Sequence, residues 1–267
     1  MSLFVNTTTT PHILVVQHSE NAPGGNFCKG LMKRGARLTT CTPLASGSLP
    51  LTPDGFDGLV VLGGPQHAAD DHECPHFIPL MNLIRSFDEN KKPVAGICLG
   101  CQLLARAYGE APKKMGFLEF GFIQHTLTEQ GKLDPVSNTN LLPPLMEFHQ
   151  DTFELPKGAT LLIQGSRCRN QCFKIGNASY GFQFHLEVDR ARIEQWLKLF
   201  SSGKMTQYNS HRKSFSVEDF NDLTANIESY IKGSEQFCDI VSGRWLELTT
   251  QYRKMAIRRS SNSTSNL

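Results

Sequence analysis

Two short segments hold residue types whose spacing could do covalent chemistry. The first is Gly96-Ile97-Cys98-Leu99-Gly100-Cys101-Gln102, which lies between an apolar run and a helical pattern. It has the logic of a nucleophile elbow, a strained strand-to-helix turn that projects one side chain from the end of a sheet. Gly96 and Gly100 are small enough to let the backbone turn and neighbouring elements approach. Cys98 would then sit at a helix N-terminus, whose partial positive charge favours thiolate over thiol. Two other readings of the same residues stay open. Cys98-Leu99-Gly100-Cys101 is also a Cys-x-x-Cys pair of the redox type, and a free cysteine is often only a small buried hydrophobe. A zinc site completed by Cys168 and Cys172 is a loose match, because Cys-x3-Cys in a short polar hairpin is not a settled ligand spacing.

The second segment is Gly181-Phe182-Gln183-Phe184-His185-Leu186-Glu187. Read as a strand with a side-chain period of two, it points His185 and Glu187 the same way. A carboxylate beside an imidazole fixes its tautomer and stabilises imidazolium, so the ring can take a proton from a thiol and return it. The plain alternative is an exposed His-x-Glu on an edge strand.

The elements that must position these residues are legible in the first half of the chain. Ile13–Val16, Arg37–Cys41, Gly58–Leu62 and Pro93–Cys98 read as strands, and patterns near 26–34 and 77–90, with a third around Leu103-Leu104-Ala105, read as helices between them. Continuous apolar strands separated by helices imply a doubly wound parallel sheet, whose ligands bind beyond the carboxyl ends of the strands. From Leu118 to Phe184 the runs are short and broken by Gly, Pro and polar turns, which predicts added antiparallel strands. After His185, Asp189 is a candidate cap for a helix holding Ile193, Trp196, Leu197 and Phe200. Ser216 with Asp219 makes a capping-box signal for a helix through Ile231, and a last helix is expected from Glu235 to about Met255. Ser260 to Leu267 is too polar to pack.

Composition removes several classes of function. Twenty-seven Lys+Arg against 25 Asp+Glu leaves a net charge of +2, which argues against a basic nucleic-acid face. The balance is uneven: five basic residues and one acid follow from Arg244 onward, for which a solvated helix end is the simple explanation and an anionic partner surface the alternative. No apolar run approaches the roughly 20 residues of a membrane span. The N-terminus has no basic residue before Lys29 and so no secretory pattern, which predicts a cytoplasmic protein with eight reduced cysteines.

The elbow GICLGCQ, the loop Gly63-Gly64-Pro65 and the closing FQFHLE together resemble the class I glutamine amidotransferases, and most closely the stand-alone members similar to the amidotransferase domain of GMP synthase. Leu118-Glu119-Phe120-Gly121-Phe122 resembles the family's Glu-x-Gly-aromatic hairpin, and Phe148-His149-Gln150-Asp151 its His-Gly-Asp segment. The resemblance covers about His12 to Phe200. It implies a flavodoxin-like α/β fold with a mostly parallel sheet, helices on both faces, added antiparallel strands and a C-terminal helical extension. The corresponding division is 1–11 as an N-terminal arm, 12–200 as the amidotransferase-like domain, 201–257 as the helical extension and 258–267 as a disordered tail.

By that resemblance Cys98 would attack the glutamine side-chain amide, His185 would serve as base and then acid, and Glu187 would orient it. Backbone N–H groups of Gly64 and Leu99 would form an oxyanion hole, and Gln102 would help hold the substrate. Leu186 replaces a usual proline between His and Glu, and Gln150 replaces the glycine of His-Gly-Asp, so His149 and Asp151 receive no role. His67, Asp70, Asp71, His72, Cys74 and His76 imitate a metal cluster, but no pair has a settled zinc spacing, and no metal or cofactor is expected. The implied partners are glutamine or another γ-glutamyl compound and a separate synthetase subunit that accepts ammonia. The rivals are a γ-glutamyl peptidase using the same site, and a catalytically silent binding or regulatory subunit.

Overall fold

The four-residue runs Gly58–Val61 and Val94–Ile97 are buried along their whole length, as strands covered on both faces must be. The computed structural model containing them describes residues 10–45, 48–140, 142–212 and 215–264, without the side chains of residues 209, 212, 217 and 253–264. In chain order the first half is β1 (His12–Val16), α1 (Gly25–Lys33), β2 (Arg37–Cys41), β3 (Gly58–Val61), α2 (Phe77–Glu89), β4 (Val94–Ile97) and α3 (Leu99–Ala107). The middle is β5 (Pro112–Ile123), β6 (Thr126–Leu127), α4 (Glu129–Leu133), β7 (Leu145–Phe153), β8 (Thr160–Gln164), β9 (Asn170–Ile175) and β10 (Ser179–Phe182). Then come α5 (Arg190–Ser201), a 3₁₀ turn at Thr206–Tyr208, α6 (Asn209–Arg212) and α7 (Val217–Thr264).

Eight strands form one sheet in the order β2-β1-β3-β4-β10-β9-β8-β6. The pairs from β2 to β10 are parallel and those from β10 to β6 antiparallel, so the sheet is the mostly parallel, flavodoxin-like kind with antiparallel strands added at one side. Alternate side chains of β1 separate the two faces. Ile13 and Val15 join a core with Phe27 of α1 and Trp245 of α7, whereas Leu14 and Val16 join one with Phe77 of α2 and Leu103 of α3. β5 and β7 form a separate two-stranded ribbon, packed in a third cluster with α5 and the first half of α7 through Phe120, Phe148, Phe200 and Ile227.

Three sequence expectations change. Tyr180–Phe184 was expected among the antiparallel strands; β10 ends at Phe182 and joins β4 in parallel while pairing β9 antiparallel. The two helices expected after Ser216 are one 48-residue helix, which also extends through Thr264 into the stretch expected to be disordered. Residues 265–267, most of the N-terminal arm, and the side chains of Arg253, Lys254, Arg258 and Arg259 lie outside the described residues. Among the described residues no helix is long and apolar enough to cross a membrane.

Both expected caps are in place. Ser216 Oγ accepts from Asp219 N at 3.1 Å while Asp219 Oδ2 accepts from Ser216 N at 2.6 Å. Asp189 Oδ1 accepts from Arg192 N at 3.1 Å, and its other oxygen meets Lys29 Nζ of α1 at 3.2 Å across an exposed pair. Asp189→Ala is expected to lower the unfolding free energy by about 1 kcal/mol through the lost cap. Lys29→Ala should cost less than about 0.5 kcal/mol, because exposed pairs contribute little. Urea midpoints of the two variants check this; equal midpoints would assign the cost to the ion pair instead.

Candidate active site

Cys98 occupies the single residue between β4 and α3, with φ 50° and ψ −107°. Apart from Lys91 it is the one non-glycine with positive φ among the described residues. Such a backbone costs on the order of 1–3 kcal/mol and persists only where its surroundings enforce it. Here the enforcement comes from both sides. Cys98 N donates to Phe182 O of β10 at 2.7 Å, and Cys98 O receives Gln102 N of the first helical turn at 3.0 Å. A Cβ on Gly100 would overlap the Val61 carbonyl, and one on Gly96 would overlap the Gly100 carbonyl, so the turn is pressed to a separation that glycine alone permits.

His185 does not stand on a strand. The chain beyond Phe182 bends, and His185 touches β7 through a single bridge in which its N donates to Met146 O at 2.8 Å. The bend still brings His185 Nδ1 to 2.7 Å from Glu187 Oε1. The Trp196 indole meets the imidazole edge-on with centroids 4.8 Å apart. Burial opposes the imidazolium, but the charges and hydrogen bonds of Glu187 and Cys98 outweigh it and raise the His185 pKa well above its ordinary value. Glu187 is placed from behind by α1. Its carbonyl accepts Asn26 N at 2.7 Å, and Gly25, at φ +41°, leaves no room for a Cβ against that carbonyl.

The remaining sequence candidates meet at one cavity of about 210 Å³, whose wall includes Gly64, Cys98, Leu99 and Gln102. His185 and Glu187 are not among its lining residues. Gly63, unassigned from sequence, lies against both Cys98 and His185: a methyl there would stand 3.2 Å from His185 Cε1 and 3.5 Å from Cys98 Cβ. Gln102 Nε2 is engaged by Asp151 O and Gln183 Oε1, both at 3.2 Å, and Gln183 Nε2 lies 3.8 Å from Cys98 Sγ. Gln102 therefore braces the site at least as much as it faces the cavity.

Sequence reasoning also missed Trp196 and Tyr208 as neighbours of the site. Trp196 was visible as an apolar helix residue with nothing to mark it as a neighbour of His185. Tyr208 sits in a polar stretch with no period, yet it lines the cavity and meets the Phe148 ring at a tilt of 34°, with centroids 4.9 Å apart. Burial, then the charges of Cys98 and Asp151, push the Tyr208 phenol well up from its ordinary range.

Beside this cavity lies a second buried network. His149 Nδ1 is 2.8 Å from Asp151 O, and its Nε2 is 3.1 Å from Glu119 Oε2 and 3.0 Å from Glu147 Oε2. Nδ1 faces a backbone carbonyl, which only accepts, and Nε2 faces two carboxyl groups, a setting that favours the imidazolium. Burial again opposes the charge, and Glu119 and Glu147 reverse it, raising the His149 pKa well above the usual range. Glu119, His149 and Cys168 are the one His/Cys/Asp/Glu group among the described residues with donor atoms near enough to share an ion. The metal-like run His67 to His76 disperses: Asp71 takes Arg106 bidentately at 2.8 and 2.9 Å, His76 pairs with His18 at 3.0 Å, and His67 turns toward Asp151. All eight cysteines are free thiols.

A family model described as glutamine amidotransferase class-I matches residues 24–202. The glutamine amidotransferase-like protein YfeJ of Salmonella typhimurium is 35% identical over 188 residues, covering 68% of this chain and 77% of the relative. Gamma-glutamyl peptidase 3 of Arabidopsis thaliana is 29% identical over 143 residues, 51% of this chain and 57% of that protein. Among solved structures, a glutamine amido transferase from Methylobacillus flagellatus superposes with a TM-score of 0.77 at 26% identity, covering 90% of this chain and 96% of the other.

Proposed function

The chain belongs to the class I glutamine amidotransferase family, and from that premise we propose that it hydrolyses the glutamine side-chain amide through a γ-glutamyl thioester on Cys98. In this reading His185 takes the proton of the Cys98 thiol, Sγ attacks the amide carbon, and the carbonyl electrons move onto oxygen, where the N–H groups of Gly64 and Leu99 stabilise the charge. As the tetrahedral adduct collapses, His185 gives its proton to the departing nitrogen and ammonia leaves. His185, now neutral, takes a proton from water as the water attacks the thioester, and glutamate departs with Cys98 restored. Glu187 holds the ring in the tautomer and orientation that both transfers need. Gln102 keeps Gln183 and the segment around Asp151 in place beside the substrate. The reaction would take place in the cytoplasm, with the ammonia passed to a separate synthetase subunit.

The observation that carries this reading is the juxtaposition at the elbow: a cysteine in strained backbone, across Gly63 from an imidazole that a buried carboxylate holds at 2.7 Å. A γ-glutamyl peptidase is the second reading, favoured by the likeness to the Arabidopsis protein of that name. It needs the same bonds made and broken, with an amino acid amine as the leaving group.

One experiment tests the site and separates the two readings. Incubation with a glutamine-analogue electrophile is expected to add one label per chain, on Cys98, with free glutamine slowing the labelling. Steady-state rates on glutamine and on γ-glutamyl dipeptides then rank the substrates. Label spread over several cysteines, or indifferent to glutamine, would remove the nucleophile; efficient dipeptide cleavage with negligible glutaminase activity would establish the peptidase.

A further inference from the structure

Behind the loop that carries Gly64 lie two histidines that the chemistry above does not use. His18 follows β1 and is 3% exposed, and its Nδ1 lies 3.0 Å from Nε2 of His76, the residue that precedes α2. The outer nitrogens, His18 Nε2 and His76 Nδ1, are buried without a hydrogen-bond partner. Burial, then the proximity of His76, pushes the His18 pKa down to about 3, and burial lowers that of His76. Both rings are therefore neutral near pH 7 and share one N–H···N bond. Stability alone does not ask for such a pair. Two apolar side chains in the same space would leave no nitrogen without a partner, and a buried unpaired polar atom is costly.

What the pair holds is the loop. The His18 carbonyl accepts Gln66 Nε2 at 3.1 Å, and Gln66 is two residues beyond Gly64. Gly64 itself is pressed between the two sides of the site: a Cβ there would stand 3.0 Å from His18 Cβ and 3.1 Å from Leu99 Cδ2. The backbone of Gly64 thus rests on His18 behind and on the first residue of α3 in front. The His18 ring cannot turn away, because His76 bonds it and Phe77 meets it edge-on with centroids 5.5 Å apart. Phe77 is fully buried and opens α2, so the brace is anchored in the core of that sheet face. His18 is not among the residues lining the cavity, although Gly64, Gln66 and Leu99 are.

We propose that His18, fixed by His76, is a positioning residue for the oxyanion hole: it sets the Gly64 N–H at the separation from the Leu99 N–H that the tetrahedral adduct requires. This rests on the proposed hydrolysis, in which those two groups stabilise the oxyanion. Preorganised donors of this kind are each worth about 10²–10³ in rate, and a misplacement of about 1 Å can cost 10²-fold. A residue that acts only through them should change kcat and leave ground-state binding nearly intact.

The test sets two reactions of Cys98 against each other. Amide hydrolysis passes through an oxyanion; alkylation by iodoacetamide displaces iodide from a saturated carbon and forms none. In His18→Ala, kcat on glutamine is expected to fall about 10–10²-fold with KM little changed, while Cys98 is alkylated at the wild-type rate. His18→Asn, whose amide reaches the position of Nδ1 and can still bond His76, should restore most of kcat. His76→Ala removes the anchor at a less buried position and applies the same comparison if His18→Ala does not fold. Turnover unchanged in the alanine variants, or turnover and alkylation falling together, overturns the positioning role while leaving the hydrolase reading in place. A wild type inactive on glutamine and on γ-glutamyl dipeptides overturns that reading and the proposal with it.

Discussion

Replacing Cys98 by alanine is expected to lower amide hydrolysis by at least about 10³-fold, since removing a covalent nucleophile eliminates the pathway rather than weakening one contact. The fold should survive. Alanine has the same Cβ and meets the same strain at φ 50°, and the close approaches at the turn belong to Gly96 and Gly100 rather than to the sulfur. Cys101→Ala is the matched control. Cys101 is fully buried, and burial pushes its thiol pKa well above the ordinary value, which makes it an inert packing residue. That variant should lose some stability from the vacated volume and keep most of its activity. Equal inactivation of the two variants, with folding intact by circular dichroism, would favour a paired-cysteine mechanism over the one proposed.

The second large effect is expected at His185. His185→Ala should cost about 10²–10⁴-fold, the range of a lost general acid–base group, while Glu187→Gln should cost less because the imidazole remains. The two also differ in pH dependence. Glu187 is one of the groups that raise the His185 pKa, so removing its charge lets the ring lose its proton at lower pH. The alkaline limb of the kcat/KM profile, where the general acid is lost, should therefore move to lower pH in Glu187→Gln. A variant at Glu187 with the wild-type profile would show that the carboxylate does not tune His185. Full activity of His185→Ala on glutamine and on an activated substrate would remove the imidazole from the mechanism.

Much of this site was legible because it is local. Strands β1, β3 and β4 are continuous apolar runs because both faces are covered, and the elbow advertises itself through glycines that must sit where β4 turns into α3. His185 and Glu187 were paired correctly from their spacing for an incomplete reason: the chain bends after Phe182, and contact with Met146 sets the turn. What stayed hidden is non-local. Glu119 and His149 are register partners across β5 and β7, thirty residues apart, so neither position alone announces a charged network. The break predicted near Gly233 fails for a similar reason. That glycine lies against Pro143, where a Cβ would come within 3.0 Å, so it serves a close approach inside α7 and does not end the helix.

The covering of one sheet face by α7 also has a consequence for how the protein is made. Ile13, Val15 and Val60 share their buried cluster with Phe237, Val241 and Trp245. Ile13 leaves the ribosome 232 residues ahead of Trp245. At ordinary translation speeds of about 5–20 residues per second, that is a delay of roughly 10–50 s. During the delay the strands can pair and take α1, but part of one apolar face has no cover. Until synthesis reaches α7, the nascent chain offers that face to chaperones or to other nascent chains.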